Sequence, residues 1–305
     1  MLIYFVHAGK AFLPEIDAYV KFFSRGFDCE VIAPSNVKNS KADVYWHFVG
    51  IERSRQPALT LHEYTSASLA PLAATKNLSK KLFNAKPDFR LFLNRWVYDQ
   101  FKFRDSIPFG YRDIGISMNW KQVSSRESEK KYDFIYTVET MNRNSKILIN
   151  SFTNGSMRGH SLLVVSEDYE QLAGRLREFG NITFTGPVPD QEVKSLLSQA
   201  RFGINYIPDK APFNRQTSAR LLEYAIAEVP VITNDYDWVR SFQKNFGGNF
   251  FFLEKNLSNF NWENICSFNY SFPDLSNWTW DHQIKQSGVI KFLEAKFPQL
   301  KLIAF

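Results

Sequence analysis

The stretch Arg201–Asp237, RFGINYIPDKAPFNRQTSARLLEYAIAEVPVITNDYD, decides the fold. It opens on an apolar run of strand length, Phe202–Ile207, and passes through a loop marked by Pro208, Asp209, Pro212 and Asn214. Leu221, Leu222, Ala225, Ile226 and Val229 then fall on one side at helical spacing, with Arg220 and Glu223 on the other. Pro230 is expected to end that helix, and Val231–Thr233 reads as the next short buried strand. A strand, loop, helix, strand unit belongs to an open α/β sheet, whose ligands sit outside the carboxyl ends of the strands. The amides of Gln216, Thr217 and Ser218 would face that crevice. Unpaired N–H groups and the helix dipole make such an end a seat for phosphate, the dipole alone contributing roughly 0.3–2 kcal/mol.

The same rhythm extends in both directions. Asn181–Gly186 reads as a strand closed by a glycine turn, and Val193–Ala200 as the helix leading into the deciding stretch. Further upstream, Tyr132–Tyr136 and Ser161–Val165 are strands, while Ile147–Phe152 and Tyr169–Phe179 are helices. The polar string Ser124–Lys131, SSRESEKK, is the best linker in the chain. Before it the pattern repeats: strands at Leu2–Val6, Cys29–Ala33, Asp43–Val49 and Ala58–Leu61, with a helix over Phe12–Phe23. No G-x-G-x-x-G follows the first strand, which argues against a nicotinamide enzyme.

From Tyr132 to Thr233 the sequence resembles the nucleotide-sugar domain of GT-B glycosyltransferases, above all retaining hexosyltransferases of the family 4 kind. Their mark is a Glu, seven intervening residues and a second Glu. Glu223, in LLEYAIAEVPVIT, matches the second, which in that family holds the ribose hydroxyls of the donor. A carboxylate suits the task because it accepts both vicinal O–H groups. The position eight before it is Arg215, so the first Glu is absent, and Asn214, Arg215 and Gln216 are the substitutes. Arg143 and Lys146 match the Arg/Lys pair that grips the diphosphate, with Arg215 and Arg220 able to add to it. The resemblance implies two doubly wound Rossmann-like domains facing across a cleft: residues 1–120 for the acceptor and 132–282 for the donor. A last helix, Gln283–Phe297, would pack back on the first domain.

Composition is compatible with this. The 305 residues are 44% hydrophobic, 22% charged and 16% aromatic, enough for two ordinary domains, each with a full core. The net charge of +6 points to an anionic partner. Cys29 and Cys266 are far apart and form no disulfide framework or metal motif, so a reducing, cytoplasmic setting is the expectation. The first residues, MLIYFVHAGK, read as a strand and not as a secretion signal, and no apolar run is long enough to span a bilayer. Between Leu72 and Arg104, eight Lys and Arg residues alternate with Leu, Phe and Trp. That mixture suits either an anionic membrane surface at the inner face or an aromatic core under a solvated basic face. Nucleic acid is not expected, since no recognition motif accompanies the charge.

His62 and Glu63 follow the apolar run Ala58–Leu61, where the resembling enzymes often carry a His close to the donor sugar; His62 is therefore a candidate catalytic residue. His47 alternates within its strand and reads as a hydrogen-bonded core histidine. Asp235-Tyr236-Asp237 mimics a metal-holding D-x-D pair, but follows a strand where GT-B enzymes have no metal ligand, so no metal is expected. The expected activity is transfer of a sugar from a UDP- or GDP-sugar to a glycan or lipid-linked glycan. Retention, no metal and no cofactor beyond the donor are part of that expectation. The alternatives are a nucleotide-sugar epimerase of the same fold and a non-catalytic sugar- or lipid-binding relative.

Overall fold

The computed structural model describes residues 1–9, 13–48, 50–117, 130–138, 143–166, 170, 174 and 178–302, with backbone alone at 143–144, 190–191 and 301–302. Most of the Ser124–Lys131 linker and of the Tyr169–Phe179 helix lies outside the described residues. The chain forms two compact units, one of Met1–Gly115 with Asn277–Phe305, the other of Ile116–Ser276.

The first unit is built on a six-stranded parallel sheet. Its strands are β1 (Leu2–Val6), β2 (Asp28–Ile32), β3 (Val44–Phe48), β4 (Leu59–Tyr64), β5 (Phe89–Phe92) and β6 (Phe109–Tyr111), in the order β2-β1-β3-β4-β5-β6. The direction of winding reverses between β1 and β3, the switch point of a doubly wound sheet. The aromatic richness of the sequence is spent here: Phe5, Tyr19, Phe22, Phe23, Trp46 and Phe89 share one buried cluster, with Tyr19 and Trp46 rings 4.6 Å apart. The first helix runs over Pro14–Phe23, opening on a proline whose missing N–H costs nothing at that position.

The carboxyl-terminal segment returns to this unit as two helices, Trp280–Gln286 and Val289–Lys296, and not as one helix over 283–297. Gly288 separates them at φ +80°, a left-handed turn that glycine adopts without steric penalty. Ile284, Val289 and Leu293 are buried in the first core. Where this segment arrives, Arg112 lies under Trp280 and bonds Glu63 and Glu15, all three charged side chains buried.

The basic and aromatic run 72–104 divides in two. Phe89, Phe92, Val97 and Phe101 are core, at 3%, 0%, 0% and 2% exposure, whereas Leu72, Leu78, Leu82 and Phe83 are exposed. The aromatic-core reading of its composition therefore holds for the second half of the run, and the first half is solvent-facing.

The second unit carries β7 (Tyr132–Val138), β8 (Leu162–Ser166), β9 (Ile182–Thr185), β10 (Ala200–Asn205), β11 (Val231–Asn234), β12 (Gly247–Asn249), β13 (Phe251–Leu253) and β14 (Ser271–Pro273). Six of them form a parallel sheet in the order β13-β11-β10-β7-β8-β9. Numbered within the unit this is 3-2-1-4-5-6, a Rossmann order whose switch point lies between β7 and β10. β12 and β14 pair separately.

β10 stops at Asn205 and not at Ile207, because the Ile207 N–H is taken by the Asn234 side chain at 2.7 Å. The helix that follows spans Ala219–Ile226 and ends before Val229. The chain leaves it through Glu228 in the left-handed region, φ 53°, and the Val229 N–H closes back on the Tyr224 carbonyl at 2.9 Å. Pro230 thus lies just before the next strand and does not itself stop the helix.

Gly203 fixes how closely this helix lies on β10. A Cβ there would meet Cδ2 and Cγ of Tyr224 at 2.6 and 2.7 Å, and the Tyr224 hydroxyl is held by the Thr137 N–H at 3.2 Å, so the ring has little room to swing. Gly203→Ala is expected to lower the stability of this unit by about 1–3 kcal/mol through overpacking. Thermal unfolding followed by circular dichroism checks this, and an unchanged midpoint would contradict it.

Candidate functional site

The helix Ala219–Ile226 begins at the carboxyl edge of β10 with Ser218 as its cap. The Ser218 hydroxyl accepts the Leu221 N–H at 3.3 Å and donates to Asn205 Oδ1 at 2.7 Å. Asn205 in turn donates to Thr233 Oγ1 and to the Tyr236 hydroxyl, each at 3.0 Å. All four side chains are buried, so the helix start, two strand ends and the loop after β11 are locked by one polar network. Asn234 adds a clamp, its amide exchanging two bonds with the backbone of Ile207 at 2.7 and 2.9 Å. Ser218 is thus a capping residue whose side chain is turned to the fold. Asn205, Thr233 and Tyr236 were not singled out from sequence. The readable sign was a polar residue ending an otherwise apolar strand, as in Phe202–Asn205 and Val231–Asn234.

Glu223 lies in the second turn of the helix. Its side chain is 16% exposed and accepts from Arg220 Nη1 at 2.7 Å. A carboxylate offers about four acceptor positions. Arg215 is engaged with Asp237 at 2.5 Å, and both are about half exposed. On the same loop, Asn214 Oδ1 and Gln216 Nε2 are buried without a hydrogen-bond partner, while Asn214 Nδ2 donates to Asp209 at 3.1 Å. Thr217 is buried at 8% exposure.

Arg143 and Lys146 begin the helix Arg143–Thr153, which follows β7. β7 is the hydrogen-bonded neighbour of β10, so this helix and Ala219–Ile226 start from adjacent strands at the switch point. Lys146 is exposed; the Arg143 side chain lies outside the described residues. Buried Ser145 ties the helix to the sheet through the Tyr136 hydroxyl at 2.9 Å, and that hydroxyl also reaches the Tyr206 carbonyl at 3.4 Å.

The D-x-D pair is divided between two arginines. Asp235 is forked by Arg240 at 2.8 and 2.7 Å, which holds its carboxyl below the usual range, and Asp237 faces Arg215. Among the described residues no group of three or more His, Cys, Asp or Glu side chains could hold a metal ion.

His62 is placed differently from the expectation. β4 runs on to Tyr64, so His62 is an interior residue of a central strand in the first unit, 0% exposed, with neither ring nitrogen hydrogen-bonded. Burial, then His47 and Arg90, pull its pKa down to about 3. A neutral imidazole enclosed in the sheet cannot take a proton from an acceptor. Glu63 beside it bonds Tyr19, Trp46 and Arg112 and is equally enclosed.

No family model and no curated protein matches the chain. Solved structures do. Sucrose-phosphate synthase from Thermosynechococcus elongatus superposes with a TM-score of 0.62 at 10% identity, over 98% of each chain. Anabaena HepE, solved in complex with UDP-glucose, gives 0.59 at 11% identity, over 99% of each chain. The fold is GT-B. The same GT-B architecture is shared with UDP-N-acetylglucosamine 2-epimerase from Rickettsia bellii, TM-score 0.56 at 10% identity, over 98% of this chain and 97% of that one.

The burial of His62 sets a pH dependence. Its native pKa lies below the ordinary 6.5, so between about 6.5 and 3 the unfolded chain binds more protons and stability falls as pH falls. His62→Leu removes two unpartnered buried nitrogens along with the titration. It is expected to be no less stable than the parent at pH 7 and to lose less stability between pH 6.5 and 4.5. Urea unfolding at both pH values checks this; a variant as acid-sensitive as the parent would contradict it.

Proposed function

We propose that this GT-B protein is a metal-independent glycosyltransferase that moves a sugar, with retention, from a nucleoside-diphosphate sugar to a glycan or lipid-linked glycan at an anionic membrane surface. The observation that carries the reading is the Ser218-capped helix end with Glu223 in its second turn, beside a loop holding two buried, unmatched amide atoms. Buried polar atoms without partners are places where a ligand supplies the missing bond. Glu223 accepts the ribose hydroxyls. The N–H groups at Gln216–Ser218, with Arg143, Lys146 and Arg220, face the diphosphate. Asn214 and Gln216 meet the sugar, and Arg215 sits beside them.

In the transfer, the bond from the anomeric carbon to the diphosphate oxygen breaks and the acceptor oxygen bonds to the same carbon. The acceptor proton passes to an oxygen of the leaving phosphate. The added charge on the diphosphate is what the cations and helix-end amides stabilise, and positioning supplies the rest. No step uses His62.

No described helix is long and apolar enough to cross a membrane, so association with a bilayer would be through a surface. A nucleotide-sugar epimerase is the second reading, favoured by the likeness to the Rickettsia bellii enzyme; a product assay without acceptor separates the two.

Calorimetry with UDP-, GDP-, ADP- and CMP-sugars, paired with an assay for slow donor hydrolysis, tests the site directly. Glu223→Ala is expected to weaken donor binding about 10- to 150-fold, the value of one charged hydrogen-bonding group. The melting curve should be little changed, because the side chain is only partly buried and its Arg220 partner is 31% exposed. Binding equal to the parent would remove Glu223 from the site, and binding of none of the four donors by the parent would leave a non-catalytic relative.

A further inference from the structure

The first unit carries a surface that no part of the transfer chemistry uses. Eleven large apolar side chains are exposed among the described residues, and six of them, Ile51, Leu69, Leu72, Leu78, Leu82 and Phe83, come from one region at 49–70% exposure. They surround the helix Ala73–Phe83 and the loops after β3 and β4. Leu78 and Leu82, four apart, share one face of that helix. Leu72, the most exposed at 70%, also has φ 63°, a left-handed backbone that is strained for a leucine. Strained backbone is often kept where a site uses it.

While Leu78 and Leu82 lie on another face of the helix, two of the other side chains, Ile51 and Leu69, line an open cavity of about 520 Å³ together with Gly50, Ser68, Lys76 and Lys80. Its wall is fixed: the buried Asn77 side chain accepts the Ser68 N–H at 3.0 Å, and the Lys76 ammonium donates to the Leu69 carbonyl at 3.3 Å. Lys80 is half-buried and forms no ion pair with any described residue, and burial alone lowers its pKa. From Tyr64 to Pro87 the chain has four lysines, Lys76, Lys80, Lys81 and Lys86, and no carboxylate. A desolvated cation with no counter-ion, in a cavity with a second lysine one turn away, is matched by an anion from outside.

The apolar rim narrows what carries that anion. A soluble phosphate or a nucleic acid has no use for exposed leucines, and an acidic peptide would cover them only in part. A bilayer of anionic phospholipid meets both demands at once. We propose that the helix Ala73–Phe83 is a docking face for such a bilayer, one lipid phosphate entering between Lys76 and Lys80 while Leu72, Leu78 and Leu82 reach the acyl boundary. The inference deepens the membrane part of the reading above and rests on it for its setting. Vesicle binding, however, needs neither donor nor transfer, so the two can fail separately.

The test is flotation of the full chain with vesicles of phosphatidylcholine alone and of phosphatidylcholine mixed with phosphatidylglycerol. Binding is expected only to the mixed vesicles and should weaken with salt. Lys76→Ala with Lys80→Ala is expected to reduce it about 25-fold, at roughly five-fold per lysine. Leu78→Ser with Leu82→Ser should reduce it at least as much, and Lys244→Ala with Lys255→Ala, in the second unit, should leave it unchanged. Melting curves confirm folding of each variant, and donor hydrolysis in solution is expected to be unaffected. The proposal is overturned if the lysine or leucine variants float like the parent. It is also overturned if inorganic phosphate at vesicle-phosphate concentration releases the protein, or if the leucine variants abolish a dimer seen by sedimentation and leave flotation intact.

Discussion

One asparagine side chain holds the switch point of the second sheet together. Asn205 closes a buried strand, and its amide accepts from Ser218 and donates to Thr233 and Tyr236. Three of its bonding positions are therefore filled by three different segments, in a region where an unpaired amide would cost several kilocalories per mole. The capping serine cannot shift without breaking the Asn205 bond, and Asn205 cannot shift without disturbing the start of the loop after β11. The direction of the helix, and so the place of Glu223, follows from that closed set. Gly203 and Tyr224 set its distance from the sheet in the same way, by contact where Asn205 acts by hydrogen bonding.

Much of this architecture could be read from the chain because parallel sheets write themselves in local terms. The apolar runs at Leu2–Val6, Tyr132–Tyr136 and Val231–Thr233 are all strands in the structure, and the spacing of Leu221, Leu222, Ala225 and Ile226 does face a helix to the core. What was misread depends on partners far away in sequence. β4 seemed to stop before His62 because two polar residues interrupt the apolar pattern. They are interior because Glu63 finds Arg112, 49 residues later, together with Tyr19 and Trp46. In the 72–104 run, composition is nearly uniform, yet Phe89, Phe92 and Phe101 are core and Leu78 and Leu82 are not. Periodicity does not say which face has a sheet behind it. The break at Ser287-Gly288 has a local sign, the glycine, but a lone glycine inside a helical pattern can be either a tolerated guest or a stop.

The buried charges of the first unit carry a similar long-range logic. Arg112 joins Glu63 on β4 and Glu15 on the first helix, and its guanidinium lies over the rings of Tyr19 and Trp280 at 5.5 and 5.4 Å. Taking one cation and two carboxylates out of water gains little net stability, but leaving any one of them unmatched would cost several kilocalories per mole. The set therefore specifies more than it stabilises: the strand, the helix and the returning Trp280 must all be present for the charges to be met. Gly115 completes the junction, since a Cβ there would strike the Trp280 backbone at 2.6 Å. This is why residues after Asn277 belong to the unit that begins at Met1, despite the whole second unit lying between them in sequence.

Arg215 remains the sharpest departure from the resembling enzymes, and its surroundings say how a site could work around it. A glutamate accepts hydrogen bonds and an arginine only donates them, so sugar hydroxyl protons that the first Glu would receive have no acceptor at position 215. The guanidinium is instead engaged with Asp237, both side chains near half exposure, where such a pair is worth at most about 1 kcal/mol and opens readily. One residue earlier, Asn214 presents a buried, unmatched oxygen whose orientation is fixed by its own donation to Asp209. One residue later, Gln216 presents an unmatched amide nitrogen. In the proposed site an acceptor and a donor thus flank the arginine, and the acceptor's work passes to Asn214. Two neutral amides there stand where the resembling enzymes carry one carboxylate.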